Sequence, residues 1–182
     1  MEIELKFPLE NSKETIERLN EISKQIKEDY QKDIYFIPKH RDFIKQNPVS
    51  EWLRLREGKN KFSINYKKWH NTKEDTTISC DEFETEITNP NNLKKILNAL
   101  DFKEIITVEK LRKIWIYKDT EIAIDEVKNL GFFIEIEANK EFNNLQEAEE
   151  YLYSILKELD IKTGMQDFEG YPYLILKKEN LL

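Results

Sequence analysis

The feature that most constrains this chain is an alternation at period two that returns in segment after segment and sorts charge onto one face. It is present in the first residues, EIELK, where Glu2, Glu4 and Lys6 share one face of a strand while Ile3 and Leu5 share the other. Glu and Lys are poor strand formers, so β-propensity does not explain that face. WLRLRE sets Arg54 and Arg56 opposite Leu53 and Leu55, and KFSINYK sets Lys61, Ser63, Asn65 and Lys67 opposite Phe62, Ile64 and Tyr66. DEFETEI gathers Glu82, Glu84 and Glu86 against Phe83. VEKLRKIW brings Lys110 and Arg112 together, EIAIDE sets Asp125 opposite Ile122 and Ile124, and FFIEIE sets Glu135 and Glu137 opposite Ile134 and Ile136.

Any one of these strands fits a sheet with one wet face. Together they are more demanding, because the charges are sorted by sign. Like charges two apart on a strand lie roughly 7 Å from each other and repel. Repeating that arrangement makes sense where a ligand or metal neutralises it. The chain is therefore predicted to be α+β, with a closed, mainly antiparallel eight-stranded β-barrel. The charged positions would line a polar lumen, a tunnel, and the helices would pack outside.

Extended segments are expected at 1–7, 29–37, 51–57, 61–67, 79–88, 102–117, 121–127 and 132–138. Three helices are legible. NSKETIERLNEISKQI begins at Asn11 and carries Ile16, Leu19, Ile22 and Ile26 along one side. NPNNLKKILNAL is capped by Asn89, with Pro90 at its first position and Leu93, Ile96, Leu97 and Leu100 as its stripe. NNLQEAEEYLYSILKEL buries Leu145, Ala148, Leu152, Ile155, Leu156 and Leu159. IPKHRDFIKQNPV reads as a loop broken by Pro38 and Pro48, KKWHNTKED as a loop tip, and LKKENLL as a solvated end. With 182 residues and no Pro/Gly/Ser-rich linker, one domain over 1–182 is expected.

The net charge of −7 argues against a broad basic footprint, so neither nucleic acid nor an anionic membrane is an expected partner. No apolar run reaches the roughly 18 residues of a membrane span, and Met1 is followed at once by charge, so a cytoplasmic location is expected. Cys80 is the only cysteine, which excludes an intramolecular disulfide and a cysteine-based zinc cage. Cys80 reads as a small strand residue, and His40 and His70 as surface loop residues. Trp52 and Trp115 are expected to pack against helices, while Trp69 could cap the lumen or stack on a base.

The chain has four glycines and no glycine-rich phosphate loop, so any phosphate must be held by side chains. Lys6, Arg54, Arg56, Lys67, Lys110 and Arg112 suit a polyphosphate, with arginine giving two-pronged contacts. Paired glutamates offering only oxygen suit Mg²⁺ or Mn²⁺ bridging phosphates. The combination points to a metal–triphosphate.

These motifs also resemble a known family. EIELK is similar to the ExExK signature of the CYTH superfamily, the triphosphate tunnel metalloenzymes. HRDF (His40–Phe43), WLRLRE, NYK, DEFETEI, VEKLRKIW and IDEVKNLGFFIEIE follow in that family's order, nearly end to end. DEVKNLGFFIEIE resembles the class IV adenylyl cyclase-like branch. The resemblance implies that Glu2, Glu4, Glu135 and Glu137 hold one or two Mg²⁺ or Mn²⁺ ions. It implies that the six cations grip the phosphates and that Asp125 sits near the metals or orients a lysine. It gives Glu82, Glu84 and Glu86 a lesser role.

Three departures stand out. Cys80 replaces a basic residue before the acidic strand, Lys68 and Trp69 replace a small turn, and Pro172–Tyr173 stands where a Ser-Tyr pair is usual. A lysine crowded by cations could act as base, with Lys6 and Lys110 as candidates. The expected activity is class IV adenylyl cyclase-like, converting ATP to cyclic AMP and pyrophosphate. An inorganic tripolyphosphatase or organic (thiamine-type) triphosphatase is the alternative, and a non-catalytic binder of polyphosphate or nucleotide a third. A homodimer would be in keeping with the class IV branch.

Overall fold

The computed structural model describes residues 3–45, 49–59, 61–71 and 78–182. Glu2 and Pro48 lie outside the described residues, as do the side chains of His70 and Cys80. In chain order the elements are β1 (Glu4–Pro8), α1 (Ser12–Ile22), β2 (Lys24–Pro38), β3 (Glu51–Glu57), β4 (Phe62–Asn71) and β5 (Ile78–Ile87). They continue with α2 (Pro90–Ala99), β6 (Phe102–Tyr117), β7 (Thr120–Val127), β8 (Gly131–Ala138), α3 (Leu145–Glu158) and α4 (Tyr171–Lys178). A short 3₁₀ turn, Phe43–Lys45, interrupts the loop between β2 and β3. No helix among the described residues is long and apolar enough to cross a membrane.

The expected α+β architecture with eight strands is present, and the hydrogen-bonded order is β1-β8-β7-β6-β2-β3-β4-β5. Closure differs from the expectation. Among the described residues the order ends at β1 and β5 rather than closing through hydrogen bonds. The outer edge of β1 is already occupied: Leu9 bridges Thr163, the Gly164 amide donates to the Pro8 carbonyl, and the Asp167 amide donates to the Lys6 carbonyl. An edge covered in this way offers fewer ladder groups to another strand.

The chain packs as two compact units. The first comprises Met1–Asp29 and Lys110–Gly170, the second Tyr30–Glu109 and Tyr171–Leu182. In the first unit, Leu5 and Phe7 of β1, Trp115 of β6, Ile122 and Ile124 of β7, and Ile134 and Ile136 of β8 form one apolar face. That face packs with Leu19 of α1 and Leu152, Ile155 and Leu156 of α3. Trp115 is fully buried and donates its indole N–H to Asn20 of α1 at 2.9 Å, as a tryptophan facing a helix should. In the second unit, Ile34, Phe36 and Leu55 pack with Leu97 of α2.

Three local differences from the sequence pattern stand out. α1 stops at Ile22, not Ile26, because Ser23 is extended (φ −145°, ψ 173°) and its hydroxyl donates to the Leu19 carbonyl at 2.6 Å. β2 begins directly afterwards, leaving Ile26 exposed on a strand. On α2 only Leu97 of the expected stripe is buried, whereas Ile96 and Leu100 are exposed. The C-terminal segment forms α4, which the short apolar run did not announce. Pro172 falls in its first turn, where its missing N–H is harmless, and Tyr171, Pro172, Ile175 and Leu176 are buried.

Candidate active site

The opposite face of the first unit carries the sorted charges. Antiparallel register sets Glu4 across from Glu137 and Lys6 across from Glu135 on β1 and β8, and Arg112 across from Asp125 on β6 and β7. Asp125 is the hub. Arg112 donates Nε–H to Oδ1 at 2.7 Å and a terminal N–H to Oδ2 at 2.6 Å, and Lys110 Nζ donates to Oδ2 at 3.0 Å. Arg112 also donates to Glu135, so one guanidinium of β6 joins carboxylates of β7 and β8. Burial alone would raise the Asp125 pKa, but Lys110 and Arg112 hold it well below the usual carboxylate range. Glu135 follows the same balance: burial and Asp125 push it up, and Arg112, aided by Lys110 and Lys6, brings it down overall. Lys6 ion-pairs with Asp167 at 2.9 Å and donates to the Glu169 carbonyl. Both lysines considered as bases therefore have carboxylate partners.

The second unit holds its own charged cluster. Asp33 of β2, 2% exposed, receives Arg56 through Nε and a terminal nitrogen, both at 2.7 Å, while Arg54 lies 3.5 Å away. Burial disfavours charge on Arg54, but Asp33, Tyr35 and Glu82 outweigh it and raise its pKa. Burial and Asp33 push the Tyr35 phenol up to about 12, against the pull of Arg54 and Arg56. On β4 and β5, Asn65 donates to Glu82 at 2.5 Å and to Glu84 at 3.3 Å, and Lys67 ion-pairs with Glu82 at 2.6 Å. Lys67 also lies over the Trp69 ring, 5.6 Å from its centroid. Glu86 instead pairs with Lys61 at an exposed position.

Trp52 corrects the sequence reading. It shares the parity of Arg54 and Arg56 rather than of the apolar Leu53 and Leu55, and it is buried edge-to-face against Tyr35 (centroids 5.5 Å apart). The neutralising aspartates also change the argument from repulsion. Arg54 and Arg56 share Asp33, and Lys110 and Arg112 share Asp125, so each cation pair carries an internal counter-ion. Asp33 left a signal in the sequence: an acid directly ahead of the apolar run IYFI inside an expected strand. Asp167 left none, because its segment has no periodicity.

The comparisons agree with this architecture. The CYTH domain family matches residues 1–171. A Methanocaldococcus jannaschii protein named "Putative adenylate cyclase" is 32% identical over 163 residues, covering 88% of this chain and 90% of its own. A solved Pyrococcus horikoshii protein superposes with a TM-score of 0.81 at 33% identity, covering 98% of this chain and 99% of that one. A Hippeastrum structure titled "Putative adenylyl cyclase", with "a dominant" triphosphatase activity, shares the fold at 16% identity and a TM-score of 0.66, with 98% and 95% covered. The chain belongs to the CYTH family.

The family's divalent metal can be tested against the donors present. Glu4 and Glu137 stand directly across from each other, an arrangement that is unfavourable for bare like charges and suits a cation between them. Among the described residues no three acidic, histidine or cysteine side chains converge as a ready-made metal cage. Mg²⁺ does not need one, since it keeps its waters and takes one or two carboxylates together with substrate phosphate. The all-oxygen pair therefore fits a hard divalent ion.

Proposed function

We propose that this protein is a divalent-metal-dependent enzyme acting on a triphosphate, with class IV adenylyl cyclase-like chemistry as the principal reading. The observation that carries it is the buried Asp125 hub, which pairs with Lys110 and Arg112 beside Glu135 on the face that also presents Glu4 and Glu137. The relative from Methanocaldococcus, at 32% identity, carries the cyclase name and supports the choice.

In this reading Glu4, Glu135 and Glu137, with Glu2, hold Mg²⁺ or Mn²⁺. The metal, when bound, supplies charge neutralisation and activation of the attacking oxygen. Lys6, Lys110 and Arg112 are the phosphate ligands of the first unit, and within the second unit Arg54, Arg56 and Lys67 form an anion-binding cluster of their own. Phosphoryl chemistry needs little covalent help; it needs alignment and neutralised charge. The ribose 3′-oxygen attacks the α-phosphorus, the bond to the bridging oxygen breaks, pyrophosphate leaves, and the hydroxyl proton passes to solvent. The fixed cations take up the charge that builds on the leaving pyrophosphate. Lys6 and Lys110 touch substrate in this scheme, and Asp125 keeps Lys110 and Arg112 aimed. Glu82 holds Lys67, whereas Glu84 and Glu86 are peripheral.

Hydrolysis of tripolyphosphate or an organic triphosphate is the second reading, favoured by the activity named for the Hippeastrum protein and served by the same residues. Incubation with ATP or tripolyphosphate, with Mg²⁺ or Mn²⁺, followed by product separation, decides between them. Cyclic AMP with pyrophosphate supports the cyclase, and orthophosphate supports the hydrolase. No turnover of either substrate would overturn the enzymatic reading.

A further inference from the structure

The segment 161–170, between α3 and α4, is strapped along the outer edge of β1. Beyond the Leu9–Thr163 bridge, the Gly164 amide donates to the Pro8 carbonyl at 3.1 Å and the Asp167 amide donates to the Lys6 carbonyl at 2.8 Å. These contacts deliver Asp167 to a defined place. Its Oδ2 lies 2.9 Å from Lys6 Nζ, with the two side chains only 10% and 14% exposed. Its Oδ1 accepts from the Glu169 amide at 2.9 Å, a local turn that carries the Glu169 carbonyl onto the same ammonium. One strap thus gives Lys6 a carboxylate ion pair and an accepting carbonyl, and the turn made by the carboxylate sets the carbonyl.

We infer that Asp167 is a positioning residue for the phosphate-binding Lys6, acting as its counter-ion and fixing its direction. The inference rests on the proposed role of Lys6 as a phosphate ligand. A lysine ammonium on a four-carbon stem is a mobile point charge, and catalysis benefits only when that charge is already aimed where negative charge develops. The strap restricts the stem. Its carboxylate also draws on the positive charge that a phosphate oxygen would meet, so Asp167 weakens ground-state anion binding while it improves alignment. An aspartate that merely pinned the strap to β1 would have neither effect through Lys6.

The experiment is a double-mutant cycle on the full chain with two readouts. Calorimetry with tripolyphosphate in a chelating buffer measures binding without turnover, and steady-state kinetics with metal measures kcat. Asp167→Asn keeps an acceptor for the Glu169 amide and removes the charge. It should tighten tripolyphosphate binding by about threefold, the scale of one partly exposed ion pair. It should lower kcat by about tenfold or more, the scale of a displaced catalytic group. Asp167→Glu keeps the charge but moves it, so binding should stay near that of the wild type while kcat falls. Both effects of Asp167→Asn should vanish in a Lys6→Ala background.

If they persist there, or if Asp167→Asn changes only the melting temperature, the inference is overturned while the site reading stands. If Lys6→Ala leaves tripolyphosphate affinity unchanged, the phosphate role of Lys6 fails and this inference fails with it.

Discussion

Arg112 grips Asp125 through two parallel hydrogen bonds of 2.7 and 2.6 Å, and the carboxylate that receives them is 1% exposed. Removing one partner of so buried a pair takes away the other's main counter-ion. Asp125→Asn preserves shape but leaves Lys110 and Arg112 side by side without their shared anion. It should cost about 3 kcal/mol of stability, the scale for breaking a buried ion pair. Urea unfolding at neutral pH measures it, and a loss below about 1 kcal/mol would mean that other groups neutralise the two cations.

The same carboxylate sets a pH signature. Its folded pKa is depressed by Lys110 and Arg112 against the opposing effect of burial, so its contribution is present above the unfolded value, about 3.9, and is lost as pH falls through the lower folded value. Glu135 and Glu82 are depressed too and add in the same direction. The stability gap between the wild type and Asp125→Asn should be full at pH 6 and should narrow progressively below about pH 4. A gap that stays constant down to pH 3 would show that charge on Asp125 is not its source.

Glu4 and Glu137 offer a prediction in which stability and activity diverge. They face each other across β1 and β8, and a Glu→Gln change keeps the side-chain shape while removing the charge a metal would meet. Glu4→Gln and Glu137→Gln should therefore still melt cooperatively in chelating buffer. Turnover should fall by about 100-fold or more, since even partners behind the ligands are worth 10- to 100-fold. Variants with full activity and an unchanged Mn²⁺ requirement would remove these carboxylates from the metal site.

Most of this arrangement was legible because strand parity is rigid. Once EIELK, WLRLRE and FFIEIE are read as strands, Glu4 must share a face with Lys6, Arg54 with Arg56, and Glu135 with Glu137. Parity also places Trp52 with the arginines, where Tyr35 receives it, and an aromatic side chain alone does not reveal that. Partners from elsewhere in the chain were harder to foresee. Asp33 meets Arg56 through the β2–β3 register, which depends on the length of the intervening loop, and Asp167 reaches Lys6 from 161 positions further along the chain. Helix ends were blurred where a single hydroxyl, that of Ser23, closes α1 before its apolar stripe runs out.

Asp33 allows the anion-binding role of the second unit to be tested by rescue. It is nearly buried, it takes both prongs of Arg56, and it lies beside Arg54. Asp33→Asn should lose about 3 kcal/mol, because two guanidinium groups are left without their counter-ion. An added polyanion that reaches those groups would then replace the missing charge. Tripolyphosphate should consequently raise the melting temperature of Asp33→Asn by more than it raises that of the wild type. At 100 times the dissociation constant, binding to the folded state alone contributes about 2.7 kcal/mol, enough to restore most of the loss. Orthophosphate at the same ionic strength serves as the control for general screening. If tripolyphosphate stabilises the variant no more than the wild type, Arg54 and Arg56 are pairing within the fold rather than receiving a phosphate chain.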